Sequence, residues 1–552
     1  MHRILLAFIL GVVGALGVST QTAHALSSDP KHFVGADNTF YAYVKAGEKI
    51  GAEFVRSPYT QEGHSADITV SIEGPGVERK NCVLKRDFAI GSGCVFKPII
   101  ATKSGIWRIV MAPGKNAKPF PELSSEVRWV RNLYSWKIEV TDSKNVEQKG
   151  RIWTDRYAFR QPSDNSRQFT GDFTTYYVSE NGYIYKTVNK EYNGQASILL
   201  ADAVGVRSGD SCTSAYQSAE VGNENLSPAL GACGMMYKLF FEEPTGNLPE
   251  EAERWDGEKD WVRPSIKQPT ISELHFTPDG SSDQLSGAIS FYLRNFIGQY
   301  EIKIDVDNDG DFDGQNDVTL YERMEHLSNG LQRIHFQGVD KKGQIIFPNQ
   351  TIGIKVNITK VAEIHFVAVD VEGRGGIEVT RLNGANAPTT RLCWNDTELT
   401  SLAPSFEAFS TSQTDGRSCP DSANGVHGWA YHISSWGNAR YIDDWTYASA
   451  NLSGNNQIKY PENETKVIEE KDQNLGAIIG AVAGGIILIG VVFATISIKR
   501  RSKRQTVPPP EQPTQYPSQH PSNQQTPPMP PQQYPQNPQY PPNDDPNRQQ
   551  QN

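Results

Sequence analysis

The chain contains no C-x-x-C, no H-E-x-x-H and no G-x-S-x-G. These absences argue against zinc-finger and dithiol redox chemistry, against a zinc peptidase of the usual form, and against the nucleophile elbow of the α/β-hydrolases. Basic charge is not in excess either. The net charge is −10 over 552 residues, which leaves no electrostatic footprint for a nucleic-acid partner. No long segment outside one C-terminal apolar run keeps a 3.6-residue apolar repeat, so α-helical domains are not expected. The L-P-x-T-G sorting signal is missing, and the nearest string, LPEEA at Leu248–Ala252, does not match it.

What is present begins at the ends. MHR, the apolar run ILLAFILGVVGALGV and the triplet Ala23-His24-Ala25 form the three regions of a secretory signal peptide. Residues 1–25 are expected to be removed before Leu26, and the A-x-A form has a bacterial cast. Near the other end, Leu475 to Ile498 is uncharged and apolar. As a helix it would be about 36 Å long, enough for a hydrocarbon core of roughly 30 Å. Lys499, Arg500, Arg501, Lys503 and Arg504 follow it, whereas Glu469, Glu470 and Asp472 precede it. The positive-inside rule therefore predicts a single-pass type I protein, with residues 26–474 extracellular and 499–552 cytoplasmic. Gly476, Gly480 and Gly484 share one face of the span and offer a surface for weak self-association. The Pro/Gln-rich tail, with Tyr516, Tyr534 and Tyr540, cannot bury a core and is expected to be disordered. It offers a second route to self-association, or a scaffold for cytosolic proteins.

An outside location suits the cysteines. After the signal, six of them fall into three local pairs: Cys82 with Cys94, Cys212 with Cys233, and Cys393 with Cys419. Many connectivities are open to six cysteines, and nearest-neighbour pairing is the inference drawn here. Between them, SWKIEVT, EIKIDV and TIGIKVNIT alternate apolar and polar residues with the period of a half-buried strand. The fold expected is mainly β: tandem β-sandwich ectodomains, one transmembrane helix and a disordered tail. The divisions expected are 26–158 for a first β-sandwich, 159–266 for a second β domain with its connector, and 267–453 for a third sandwich. A polar stalk at 454–474 and the span at 475–498 complete them.

The densest chemistry is DVDNDGDFDGQND, six aspartates from Asp305 to Asp317 with no basic residue among them. It follows a strand pattern and precedes another, so a helix–loop–helix setting is not expected. Asp305, Asp307, Asp309 and Gly310 nevertheless reproduce D-x-D-x-D-G, in which alternate carboxylates face one centre and glycine permits the turn. Asp311 and Asp313 continue the series, and Asp317 lies just beyond the usual closing position, which no Glu fills. Clustered carboxylates repel unless a cation neutralises them. A structural Ca²⁺ on Asp305, Asp307, Asp309, Asp311, Asp313 and Asp317 is the expectation, with Asp305, Asp307, Asp309 and Asp313 the best ligands.

The third division, with IDVDNDGDFDGQND, IHFVAVDVEGRGG, RLNGANAP, a strand bearing Trp394 and GVHGW…WGNARYIDDWTY, resembles a β-rich module of large bacterial surface and adhesin-like proteins. The resemblance implies an extracellular β-domain and carries no ligand with it.

Weaker patterns were weighed against it. Gly209-Asp210-Ser211 has the form of a chymotrypsin-like nucleophile, with His64 upstream, but Cys212 stands where that family has glycine. Asp443-Asp444 offers paired carboxylates, yet neighbours on a strand point to opposite faces. No catalytic residue is assigned. Trp429, Trp436 and Trp445, with Tyr441 and Tyr447, form either a sugar-stacking platform or the packing of the last strands. The function expected is a membrane-anchored bacterial surface protein, adhesin-like or structural, binding an extracellular protein or glycan. A membrane-anchored hydrolase, or a receptor acting through its tail, is the alternative.

Overall fold

The computed structural model describes residues 26–27, 33–34, 38–57, 67–85, 88–113, 134–160, 171–192, 196–223, 225–234, 236–369, 373–402, 414–428, 440–450 and 452–461. The expected signal peptide, span and tail, together with His64, Trp429 and Trp436, lie outside these residues. Among the described residues no helix is long and apolar enough to cross a membrane. The only helical turn described is a 3₁₀ segment at Thr397–Leu402; the rest of the regular structure is β.

Strand-forming alternation sorts side chains to two faces, and two large sheets bury one face each against the other. In Thr39–Val44, Phe40, Ala42 and Val44 point inward, while Tyr41 and Tyr43 point out. The first sheet runs, neighbour to neighbour, through Ala219–Glu220, Arg440–Ser449, Lys360–Val369, Ala196–Asp202, Arg156–Arg160, Phe33–Val34, Tyr134–Thr141, Lys49–Arg56 and Gly93–Ile100. The second runs through Gly373–Arg381, Ile184–Tyr192, Gly171–Val178, Lys238–Phe240, Ile152–Thr154, Thr39–Val44, Gly105–Pro113, Ile68–Gly74 and Val77–Leu84. Aromatic rings join them across the interior. Phe40 meets Trp136 at 4.7 Å between ring centroids, and Tyr177 meets Phe366 edge-on at 5.1 Å.

A third sheet is built round a long hairpin, Gly287–Asp305 and Val318–Phe336, flanked by Thr270–Pro278 and Ile352–Asn357. The residues expected to begin a stalk extend it instead. Gln457–Tyr460 pairs with Ile352–Asn357, and Ser453–Gly454 pairs in parallel with Thr270–Pro278. Their alternation is weak, but the ladder supplies the hydrogen bonds that solvent would otherwise provide.

The three expected divisions do not each close a sheet of their own. Both large sheets take strands from all of them: in the first, Tyr134–Thr141, Ala196–Asp202 and Lys360–Val369 lie in one ladder system. The acidic segment read as a connector is also packed. Its hairpin, Glu251–Glu253 with Lys259–Trp261, lays Trp255 and Trp261 over Tyr41, Trp153 and Phe240 on the outer face of the second sheet. The cysteines pair as expected, Cys82–Cys94, Cys212–Cys233 and Cys393–Cys419. The first of these bonds joins Val77–Leu84 to Gly93–Ile100, the terminal strands of the second and first sheets.

Candidate functional site

Two groups of charged side chains stand out, one at the surface and one enclosed. The aspartate loop closes the long hairpin, just past the last ladder pair of Ile304 with Val318. Asp305 and Asp317 sit at its two feet and are 1% and 4% exposed. Each carboxylate collects two backbone N–H groups. Asp305 accepts from Asp309 at 3.2 Å and from Gly310 at 2.9 Å; Asp317 accepts from Val306 at 2.9 Å and from Gly314 at 2.8 Å. The loop is thus wound round its own buried carboxylates.

Of the six aspartates, Asp305, Asp307 and Asp317 converge, with one oxygen from each lying within 4.8 Å of the others. Asp309 and Asp311 each accept the N–H two residues ahead. Asp313 turns outward to an ion pair with Lys303 at 2.5 Å, and that hydrogen bond holds its carboxyl below the ordinary range. A sequence pattern specifies which residues alternate, but it does not show that Lys303, on the preceding strand, competes for Asp313. The convergent set is all hard oxygen, as Ca²⁺ requires. The side-chain oxygen of Asn308, in the same loop, is buried and has no hydrogen-bond partner. Three carboxylates fit a hard cation such as calcium better than a softer metal.

The enclosed group lies where Arg440–Ser449 runs between Lys360–Val369 and Cys393–Trp394. Asp443 and Asp444 project to opposite faces of this strand, and each meets a histidine. On one face, His365 Nδ1 lies 2.8 Å from Asp443 Oδ1, and both side chains are 0% exposed. The other oxygen of Asp443 accepts the Val206 N–H at 3.0 Å. Asp202, paired with His365 across the ladder, accepts the N–H groups of Val204 and Gly205. Gly205 has φ +67°, and a Cβ there would lie 2.5 Å from both the Asp443 carboxylate and His365 Nδ1. Only glycine lets the backbone pass so close to this pair.

On the opposite face, His427 is held at both nitrogens, Nδ1 by Asp444 at 2.6 Å and Nε2 by Asp396 at 2.5 Å. Its ring stacks on Trp394 at 4.9 Å, and that tryptophan sits beside the Cys393–Cys419 bond. Burial opposes the charge on His427, but Asp444 and Asp396 outweigh it and push its pKa up to about 10. His427 is therefore an imidazolium between two carboxylates. Burial likewise opposes charge on His365, and Asp443 again reverses it, so its pKa is raised. Burial drives Asp202, Asp443 and Asp444 above the ordinary carboxylate range.

A histidine oriented by aspartate is two-thirds of a catalytic triad. Both nitrogens of His427 are occupied by carboxylates. Among the described residues, His365 Nε2 is buried without a hydrogen-bond partner, so no serine or cysteine is bonded to it there. Ser211 of the G-D-S string donates to the Ser208 carbonyl in an exposed turn. Trp445, expected at a sugar platform, is 4% exposed and stacks on His365 at 5.8 Å, so it is core. The sequence reading did not single out the two histidines. The available signal was Asp443-Asp444 itself: two carboxylates on opposite faces of an apolar strand each require a partner.

Comparison with known protein families, with curated proteins and with solved structures returns no match for this chain. The class defined by the fold is therefore stated in its own terms: a disulfide-bonded, mainly β protein with an acidic loop on one hairpin.

Proposed function

We propose that the chain is a single-pass bacterial cell-surface protein, adhesin-like or structural. On this reading residues 26–474 stand outside the membrane and engage an extracellular protein or glycan, and residues 475–498 anchor them. The observation that carries it is the cysteine chemistry: all six cysteines are in disulfides, which persist outside the cytosol and rarely within it. The leader, the apolar run and the basic cluster after it support the same orientation. Protease added to intact cells, followed by detection of the 26–474 region and of the tail, tests this. Loss of the first with protection of the second is expected; the reverse pattern would refute it.

Ca²⁺ is proposed as a structural ion at Asp305, Asp307 and Asp317, stiffening the hairpin rather than serving as a sensor. Extracellular calcium fills weak sites, with Kd of about 10⁻⁴ to 10⁻³ M. Asp307 is the informative position, because it is exposed and, among the described residues, its carboxylate accepts no backbone N–H. Titration of the full chain in detergent should raise the melting temperature, and Asp307→Asn should reduce that rise while leaving the calcium-free melting point in place. No shift with calcium in the parent chain would end the proposal.

A further inference from the structure

The hairpin strap on the outer face of the second sheet is held by an unusual pair. Lys238, in Lys238–Phe240, is 2% exposed, and its ammonium lies 3.0 Å from Asp260 Oδ2 on the strap, whose side chain is 18% exposed. Tryptophan rings roof the pair, with Nζ 4.1 Å from the Trp261 ring centroid and 5.3 Å from that of Trp153. A third carboxyl completes the cluster. Asp155, in the bend after Ile152–Thr154, accepts a hydrogen bond from the Tyr41 hydroxyl and interacts electrostatically with both Lys238 and Asp260. An amine and two carboxyls are thus collected beside the two tryptophan rings.

We propose that Lys238 Nζ and Asp260 Cγ join as an amide, a fourth intrachain cross-link that fastens the strap to the sheet, with Asp155 relaying the proton. The new bond is Nζ–Cγ. The Cγ–Oδ bond breaks, and that oxygen leaves as water with protons taken from the ammonium through Asp155. No oxidant or further reactant is required, and the ion pair, of zero net charge, becomes a neutral amide and water. The 3.0 Å contact of Nζ with Oδ2 holds the amine beside the carboxyl it would join, so the step is intramolecular and gains from proximity. Enclosure favours the product as well, because two desolvated charges disappear and one amide replaces them. Burial raises the Asp155 carboxyl above its ordinary range, which suits an acid that must both take and return a proton. No disulfide involves the strap, so the amide would secure an element that the cysteines leave free.

The test is peptide mapping of the full chain, denatured and reduced, then digested with trypsin. The expected result is one branched species containing Lys238 and Asp260, one water lighter than the sum of its parts, with no cleavage after Lys238. Asp155→Asn should restore that cleavage; a branched species persisting in this variant would overturn the role given to Asp155. Lys238→Arg keeps the cation but cannot form the amide, and it fixes the mass of the unjoined chain. Free Lys238 and Asp260 peptides from the parent protein would overturn the proposal and leave the pair a buried ion pair.

Discussion

His427 keeps its proton because two carboxylates face its two nitrogens, and this makes it a determinant of alkaline stability. In an unfolded chain the ring releases its proton near 6.5, whereas in the fold it does so at about 10. Between those values the native state holds one more proton than the unfolded state, so the contribution to stability falls as pH rises through the window and is complete below it. Thermal melting measured from pH 6 upward should decline, and His427→Gln should flatten the decline. At neutral pH the same substitution leaves Asp396 and Asp444 buried without their cation. A loss of about 3–5 kcal/mol is expected, readable by chemical denaturation. At this scale the sequence was least informative. His365 and Asp443 are 78 residues apart, and nothing local announces their meeting. The aspartate loop was legible because its geometry lies within one short turn. Even there, the ion pair of Asp313 with Lys303 was not legible in the loop itself.

At the scale of elements, alternation placed strands well and their partners poorly. TIGIKVNIT reads as a strand from its own residues, and Ile352–Asn357 is one. That Lys360–Val369, directly after it, joins a different sheet depends on pairing with Ala196–Asp202 and Arg440–Ser449, which no local pattern encodes. The acidic composition of the strap concealed Trp255 and Trp261, whose rings pay for its docking. Among the described residues Val77–Leu84 and Gly93–Ile100 each stand at one end of a large sheet, and Cys82–Cys94 ties them to each other. Replacing both cysteines by serine should cost about 2–4 kcal/mol by the loop-closure argument. Faster amide exchange confined to Val77–Leu84 and Gly93–Ile100 would be the local signature, whereas unchanged exchange there would show that the sheets hold without the bond.

For the whole molecule, the relevant property is how far apart in sequence the neighbours lie. The first sheet places Ala196–Asp202 between Arg156–Arg160 and Lys360–Val369, so segments cut at 158/159 and 266/267 each lack strands that another supplies. Expressed singly, residues 26–158, 159–266 and 267–453 should be insoluble or lack dispersed amide spectra, whereas 26–464 should give one cooperative transition. A separately folded middle segment would contradict this. Composition and punctuation suggested three units because turn signals recur along the chain. Sheet membership follows hydrogen bonds made across hundreds of residues, and those have no composition.

Arg440–Ser449 follows in sequence every other described strand of the two large sheets, yet it lies against Lys360–Val369 and carries the partners of both buried histidines. A nascent chain cannot assemble that end of the fold early and add the remainder at leisure. Until this strand arrives, His365 and His427 lack Asp443 and Asp444, and the ladder of Lys360–Val369 stays open on one side. A chain truncated before it should therefore be open to proteases, which limited proteolysis of that truncation would read.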